Sequence, residues 1–225
     1  MKINKKIFIA CDTNSVSKVK NIINLTNTKK LKIGYKFGLE FFNSKNGRSF
    51  VSKIKKKIIF VDLKLHDIPN TCSSTVRLLK DLKINYLTVH ISSGLSALRA
   101  VKKFSGKTKI VGVSTLTSLN DKDLRETGHT KSVKKLVIQQ AKLAKKANLD
   151  ALVCSAHEVP YVKKIFKKEI ITPGIRLMGD KAKDQKRIVT PKKAFENGAS
   201  SIVIGRSITK GNIRKNIDKL IKSLK

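Results

Sequence analysis

The chain has 225 residues, 40% of them apolar, which is enough for one hydrophobic core, and we expect a single domain spanning residues 1–225. A formal net charge of +35 would ordinarily indicate nucleic acid or an anionic membrane as a partner. The lysines are spread along the whole chain and no basic helix is interleaved with aromatics, so we expect no specific nucleic-acid partner. Three widely spaced cysteines, and no apolar run long enough for a signal peptide or a membrane span, predict a cytoplasmic protein.

Short apolar runs rich in β-branched residues recur along the chain, separated by segments long enough for a helix. In chain order the runs are IFIAC, KIGYKF, IIFVDL, YLTVHI, KIVGVST, DALVCSA, EIITPG and SIVIGRS. Intervening segments such as CSSTVRLLKDLK and TKSVKKLVIQQAKLAKKA carry apolar residues at helical spacing. Eight such repeats predict an α/β fold, a (β/α)8 TIM barrel. A doubly wound open sheet would also alternate, but no glycine-rich dinucleotide fingerprint follows the first run.

The third run leads into the stretch FVDLKLHDIPNT, which contains two acids and a lysine within six positions. Residues two apart in a strand share a face, so Phe60, Asp62 and Lys64 are predicted to point the same way, into the barrel mouth. A buried carboxylate is costly unless it is paired, so we expect Asp62 and Lys64 to form an ion pair. Asp67 opens the next loop, and Pro69 suits a helix start. The structural alternative is a strand-end salt bridge, with Asp67 as a helix cap.

Several other predicted strands also end in polar side chains. These are Asp12 and Asn14 after the first, Lys36 on the second, His90 and Ser92 on the fourth, and Thr117 and Ser118 after the fifth. Each has an ordinary structural explanation when it is taken alone, such as a helix cap for Asp12 or Ser118. Their convergence on one end of a barrel favours an active site, because catalytic residues of this fold come from several strand ends.

The last two predicted strands are followed by glycine and arginine. The segments TPGIR and VIGRSIT place Arg176, Gly205 and Arg206 where barrels often bind phosphate. A glycine backbone can approach a ligand closely, and a guanidinium offers a forked set of donors. We therefore predict that these residues bind a phosphate. The alternative is that the arginines lie on surface loops without a ligand.

These residues together resemble the orotidine 5'-phosphate decarboxylase family. The pattern D-x-K-x-x-D-I-P-N-T stands complete from Asp62 to Thr71, and ACDTNS, YKFGLEFF, VHISSG, TLTSL, SAHE, TPGIR, DQKRIVTP and VIGRSIT follow the family in order and spacing. The resemblance spans nearly the whole chain. It implies a homodimeric (β/α)8 barrel that converts orotidine 5'-monophosphate to UMP and carbon dioxide, the final step of de novo pyrimidine biosynthesis, without a metal or an organic cofactor.

The resemblance also implies a role for each matching position. Lys64 is expected to protonate C6 of the substrate, and Asp62 to lie beside the substrate carboxylate. Lys36 and Asp67 are expected to complete a set of alternating charges. The remaining expected contacts are Asp12 and Lys36 with the ribose, Ser118 with the pyrimidine, Arg176, Gln185, Gly205 and Arg206 with the phosphate, and Asp67, Ile68 and Thr71 with the neighbouring subunit's site.

The sequence departs from the usual bacterial pattern of this family at three positions, with Leu177 after the loop arginine, Lys183 before Asp-Gln, and Cys11 on the first strand. Two alternatives stay open. A related branch of barrels shares D-x-K-x-x-D but uses a divalent metal to stabilise an enediolate derived from a sugar phosphate. A basic scaffold or nucleic-acid binder without decarboxylase activity is the non-enzymatic alternative.

Overall fold

A computed structural model describes residues 3–180 and 188–224 of the chain. Eight parallel strands within these ranges form a closed barrel in sequence order, β1 pairing with β8. The strands are β1 Lys6–Ala10, β2 Lys32–Gly38, β3 Ile58–Leu65, β4 Tyr86–His90, β5 Lys109–Val113, β6 Ala151–Val153, β7 Glu169–Thr172 and β8 Ser201–Ile204. The (β/α)8 TIM barrel predicted from the eight apolar runs is confirmed.

Helices connect successive strands around the outside of the barrel. Those described are α1 Val16–Leu25, α2 Leu39–Phe42, α3 Gly47–Lys53, α4 Pro69–Leu78, α5 Gly94–Phe104, α6 Asp121–Glu126, α7 Val133–Lys146, α8 Val159–Ile165, α9 Pro191–Glu196, α10 Arg206–Thr209 and α11 Ile213–Ser223. Two 3₁₀ turns lie at Leu79–Leu82 and Ile91–Ser93. In the part of the chain that the structure describes, no helix is long and apolar enough to cross a membrane.

Two hydrophobic layers hold the barrel together. Alternation along β1 sends Ile7 and Ile9 into the larger layer between strands and helices, whereas Phe8 belongs to a smaller cluster inside the barrel. The rings of Phe8, Phe60 and Tyr86 meet there, with centroids 5.1 to 5.6 Å apart. These aromatic side chains fill the barrel interior below the strand ends that carry the polar residues.

The opposite, N-terminal end of the barrel is closed by a polar cluster that we call the floor network. Its members are the first residues of five strands: Lys6, Tyr86, Lys109, Glu169 and Ser201. The Glu169 carboxylate is its centre, because it accepts from Lys6 at 2.5 Å, Tyr86 at 3.0 Å, Ser201 at 3.1 Å and Lys109 at 3.2 Å. Five strand starts are thereby joined through one largely buried acid.

The end of β3 is irregular. Phe60, Asp62 and Lys64 face the barrel mouth as expected, but the strand does not reach this arrangement by regular alternation, because the pairing of β3 with β4 shifts between Val61 and Leu65 and Lys64 has a φ of +49°. The segment after β5 contains the short helix α6. Its N-cap Asn120 and the N3 residue Asp123 bond each other's backbone N–H reciprocally, a capping box that stabilises even a helix of six residues.

Candidate active site

The carboxyl ends of the strands surround a cavity of about 860 Å³. Eight residues predicted for the site line it: Asp12, Lys36, Asp62, Lys64, Ser118, Arg176, Gly205 and Arg206. Its apolar lining includes Phe60, Val113, Val153 and Val203 from the barrel interior. The volume suits a mononucleotide-sized ligand, and the mixture of apolar walls with a few converging charges is typical of a small-molecule site.

Four side chains of alternating charge form a continuous chain across the cavity, and we call them the charged array: Asp12, Lys36, Asp62 and Lys64. Lys36 Nζ lies 3.2 Å from Asp12 Oδ1 and 3.3 Å from Asp62 Oδ2. Lys64 Nζ donates to the same Asp62 Oδ2 at 2.9 Å. The ion pair predicted between Asp62 and Lys64 is therefore confirmed, and Lys36 extends it to Asp12.

The central pair of the array is buried but remains ionised. Burial alone would raise the pKa of Asp62, but Lys36 and Lys64, together with hydrogen bonds from Lys64 and Thr88, hold this pKa below its ordinary value. Burial would likewise lower the pKa of Lys36, but Asp62 and Asp12 outweigh it and raise that pKa. Each charge in the interior is thus stabilised by a neighbour of opposite sign.

The irregular end of β3 brings Asp62 and Lys64 together. Thr88 of β4 donates from Oγ1 to Asp62 Oδ1 at 3.0 Å and accepts from the Lys64 backbone N–H at 2.8 Å. Thr88 was missed by sequence reasoning. Its position two residues after the inward-facing Tyr86 was the available signal, since residues two apart in a strand share a face.

The ordinary structural explanations for Asp12 and Ser118 do not hold. The cap of α1 is Ser15, whose hydroxyl accepts from the Lys18 N–H, and Asp12 instead pairs with Lys36. The cap of α6 is Asn120, and Ser118 lines the cavity. Both side chains are therefore available to a ligand at the barrel mouth.

The predicted phosphate residues lie at the ends of β7 and β8. Arg176 is buried, its backbone N–H bonds Val189 O at 3.1 Å, and its Nη1 donates to Ile175 O at 2.9 Å. Gly205 and Arg206 follow β8 and line the same side of the cavity. Gln185, the fourth predicted phosphate contact, lies outside the described residues.

Three predicted residues lie away from this cavity: Asp67, Ile68 and Thr71. All three are exposed, and Ile68 presents 66% of its surface. Helix α4 begins at Pro69, as expected, with Ile68 as its N-cap. Asp67 does not cap the helix, because its Oδ1 accepts from the adjacent Ile68 N–H. Within one chain, the D-x-K-x-x-D motif therefore splits into an ion pair at the cavity and an exposed acid.

The cavity also has lining residues that sequence reasoning did not single out. Thr115 follows β5 and is buried, and its N–H and hydroxyl both donate to Gln140 Oε1, at 2.9 and 3.2 Å. Thr209 and Lys210 follow Arg206 and also line the cavity. His90 faces His66 outside the cavity, with ring centroids 5.1 Å apart.

Among residues 3–180 and 188–224, no group of three or more His, Cys, Asp or Glu side chains is arranged to hold a metal ion.

Comparison with known proteins identifies the family. A family model described as "Orotidine 5'-phosphate decarboxylase / HUMPS family" matches residues 5–217. The chain belongs to this family. An orotidine 5'-phosphate decarboxylase of Wolbachia sp. subsp. Brugia malayi (strain TRS) is 47% identical over 224 residues, 96% of each chain. The enzyme of the same name from Prochlorococcus marinus (strain MIT 9215) is 40% identical over 91% of this chain and 89% of its own.

Solved structures of orotidine 5'-phosphate decarboxylases agree with the fold. The crystal structure from Lactobacillus acidophilus superposes with a TM-score of 0.83 at 29% identity, covering 98% of this chain and 99% of that one. A structure from Methanocaldococcus jannaschii, complexed with the inhibitor BMP, has a TM-score of 0.77 at 20% identity and 99% coverage of both chains, and supports the fold alone. The family expected from the D-x-K-x-x-D-I-P-N-T pattern is confirmed.

Proposed function

We propose that the chain decarboxylates orotidine 5'-monophosphate to UMP and carbon dioxide, the final step of de novo pyrimidine biosynthesis, without a metal or organic cofactor. The observation that carries this proposal is the charged array in the cavity of a chain of this family. An ammonium and a carboxylate fixed side by side can act on a substrate that loses a carboxylate and gains a proton.

Lys64 is the proposed proton donor. When the bond between C6 and the carboxylate breaks, carbon dioxide leaves and the bonding electron pair stays on C6. An ammonium fixed beside C6 stabilises this developing negative charge more than it stabilises the substrate, which lowers the barrier. The Lys64 ammonium then gives its proton to C6, and the neutral amine regains a proton from water. The 2.9 Å bond to Asp62 holds Nζ in place for both steps.

Asp62 is proposed to act on the ground state. Its carboxylate stays charged because Lys36 and Lys64 flank it. A substrate carboxylate placed against it is repelled, and that repulsion disappears as neutral carbon dioxide leaves. Asp62 also keeps two lysines of like charge close together, so it orders the array as well as acting on the substrate.

Binding at a distance from C6 is proposed to fix the substrate over the array. The phosphate is bound by Arg176, Gln185, Gly205 and Arg206. The ribose hydroxyls contact Asp12 and Lys36, and the pyrimidine contacts Ser118. Such remote contacts contribute binding energy that can be used to position C6 and exclude water. The apolar walls around Phe60 and Val203 suit the flat ring.

We further propose that the protein is a cytoplasmic homodimer of single-domain subunits. Asp67, Ile68 and Thr71 of one subunit would enter the neighbour's site. Their exposure supports this arrangement, as does a further exposed apolar side chain, Leu78 at the C-terminal end of α4, with 73% of its surface accessible. Exposed apolar side chains beside polar ones are typical of subunit interfaces.

Metal-dependent sugar-phosphate chemistry is the alternative that the D-x-K-x-x-D pattern leaves open. The hydrogen bonds of Asp62 count against it. Oδ2 accepts from Lys64 and lies 3.3 Å from the Lys36 ammonium, while Oδ1 accepts from Thr88. A carboxylate that is already neutralised by two ammoniums is a poor ligand for a divalent cation, which prefers unpaired oxygen donors.

The test is to follow the orotate-ring ultraviolet absorbance when purified protein meets orotidine 5'-monophosphate in the presence of EDTA. Loss of the absorbance with UMP as the product is the expected result. Conversion that stops in EDTA and returns with Mg²⁺ would favour Lewis-acid chemistry instead. No conversion by a folded protein, combined with strongly salt-dependent binding to DNA, would favour the basic scaffold.

A further inference from the structure

Thr88 is the single residue of β4 that opposes the irregular end of β3. Val61 pairs with Leu87, and the next pair is Leu65 with Val89. Three residues of β3, from 62 to 64, therefore face one residue of β4. In such a bulge the backbone groups of the longer strand lose their ladder partners and need others.

The Thr88 hydroxyl supplies the missing partner and at the same time binds the Asp62 carboxylate. It accepts from the Lys64 N–H at 2.8 Å and donates its one proton to Asp62 Oδ1 at 3.0 Å. Thr88 is only 1% exposed, so water cannot easily replace it. A hydroxyl can accept and donate at once, whereas an aliphatic side chain of the same shape can do neither.

The backbone at Lys64 makes this contact consequential. A φ of +49° lies in the left-handed region, which lysine rarely adopts, so the conformation needs support from its surroundings. The bond from Thr88 to the Lys64 N–H is local support of that kind. The same bond fixes the main chain from which the Lys64 side chain projects toward Asp62.

We propose that Thr88 is a positioning residue for the charged array, fixing the Lys64 main chain and the Asp62 carboxylate through one hydroxyl. Only the expected effect on kcat rests on the proposed decarboxylase function. Lys36 from β2 and Lys64 from β3 also face Asp62, and Asp12 lies beyond Lys36. His90, also on β4, is close enough to interact electrostatically with Asp62 and Lys64, whereas Thr88 is a neutral member of this surround. It binds Oδ1, whereas both lysines lie against Oδ2.

Two substitutions separate positioning from simple packing. Thr88→Val keeps the shape and removes both hydrogen bonds, whereas Thr88→Ser keeps the hydroxyl and removes a methyl group. We expect Thr88→Val to lower kcat on the order of 10- to 100-fold with KM changed less than about threefold, as for loss of a hydrogen bond to a charged group. Thr88→Ser is expected to keep kcat within about threefold of the unsubstituted protein.

The pH dependence gives a readout that packing would not move. In Thr88→Val, Asp62 loses a donor to its charged form, so the acid limb of the kcat profile is expected to move to higher pH. In Thr88→Ser the limb is expected to stay in place. Equal kcat for Thr88→Val and the unsubstituted protein, or equal losses in both variants, would overturn the proposal.

A second measurement does not depend on turnover. Carbon-13 NMR titration of the Asp62 carboxyl, with urea unfolding as the check on folding, is expected to show a higher pKa in Thr88→Val and an unchanged one in Thr88→Ser. An unchanged titration in the valine variant would refute the positioning role even if the protein did not decarboxylate orotidine 5'-monophosphate. Failure of the proposed function alone would leave this titration difference in place.

Discussion

The Lys64 ammonium donates to Asp62 Oδ2 at 2.9 Å from a residue whose backbone is left-handed, with a φ of +49°. The strand thus leaves regular geometry at the point where it delivers a cation to a buried acid. Strain held at such a position is typical of functional sites. The pair and its surroundings make several outcomes measurable.

Asp62→Asn is expected to lower kcat at least about 100-fold without weakening substrate binding. The amide keeps the shape but removes the charge that repels the substrate carboxylate, so the Kd for orotidine 5'-monophosphate should stay level or fall. Single-turnover kinetics and equilibrium binding measure the two effects separately. Glu196→Gln, at an exposed acid 3.9 Å from Lys193, is the control and should change neither. A raised Kd with normal kcat would contradict the role given to Asp62.

The floor network predicts a pH-dependent contribution to stability. Burial would raise the pKa of Glu169, but Lys6, Lys109 and Tyr86 hold it below its ordinary value. A lowered folded-state pKa means that the stabilisation is present above the unfolded-state value, near 4.3, and is lost as the pH falls through the folded-state value. Burial lowers the pKa of Lys6 despite its bond to Glu169. The cost of burying this ammonium therefore offsets part of the stabilisation that the Glu169 carboxylate contributes.

Glu169→Gln is therefore expected to lower the free energy of unfolding by about 3 kcal/mol at pH 7, because two cations lose their carboxylate. The difference from the unsubstituted protein should shrink as the pH falls below about 4, where Glu169 itself becomes protonated. Urea unfolding across this range measures the trend. A difference that is constant with pH would show that packing, and not charge, explains the loss.

Gly205 offers a test of the phosphate end. An alanine Cβ there would lie 3.4 Å from Ala10 Cβ and 3.6 Å from Asp12 Oδ2, which are ordinary contacts, so Gly205→Ala should fold. The methyl group would occupy space proposed for the phosphate. We expect KM to rise about tenfold and the free energy of unfolding to change by less than about 1 kcal/mol. Affinity for UMP should fall while affinity for uridine is unchanged, and an equal loss for both ligands would argue against phosphate at this position.

A shared site can be tested by mixing two inactive variants. If Asp67 completes the neighbour's site, Lys64→Ala and Asp67→Asn subunits that exchange will form heterodimers with one intact site. Random exchange of equal amounts should restore about a quarter of the activity. Activity after denaturation and joint refolding measures this, with each variant refolded alone as the control. No recovery, with heterodimers demonstrated by mass, would place Asp67 within its own subunit's site or outside catalysis.

Much of this architecture could be predicted from the sequence, because parallel strands that are buried on both faces consist of near-continuous apolar residues. The pairing of Asp62 with Lys64 followed from the cost of burying a lone carboxylate. Alternation could not predict the bulge at Lys64, since a strand irregularity is set by the neighbouring strand. Thr88 was missed for the same reason: a threonine within a β-rich run is usual, and only the register shows which residues it opposes.

The most direct test of the central claim is the rate of UMP formation by Lys64→Ala beside the unsubstituted protein, at saturating orotidine 5'-monophosphate in EDTA. Lys193→Ala, at an exposed lysine, serves as the matched control. We predict rapid conversion by the unsubstituted protein and by the control, and a loss of at least about 1000-fold in Lys64→Ala with its unfolding transition retained. Near-normal turnover by Lys64→Ala would contradict the assignment of Lys64 as the proton donor and the mechanism built on the charged array.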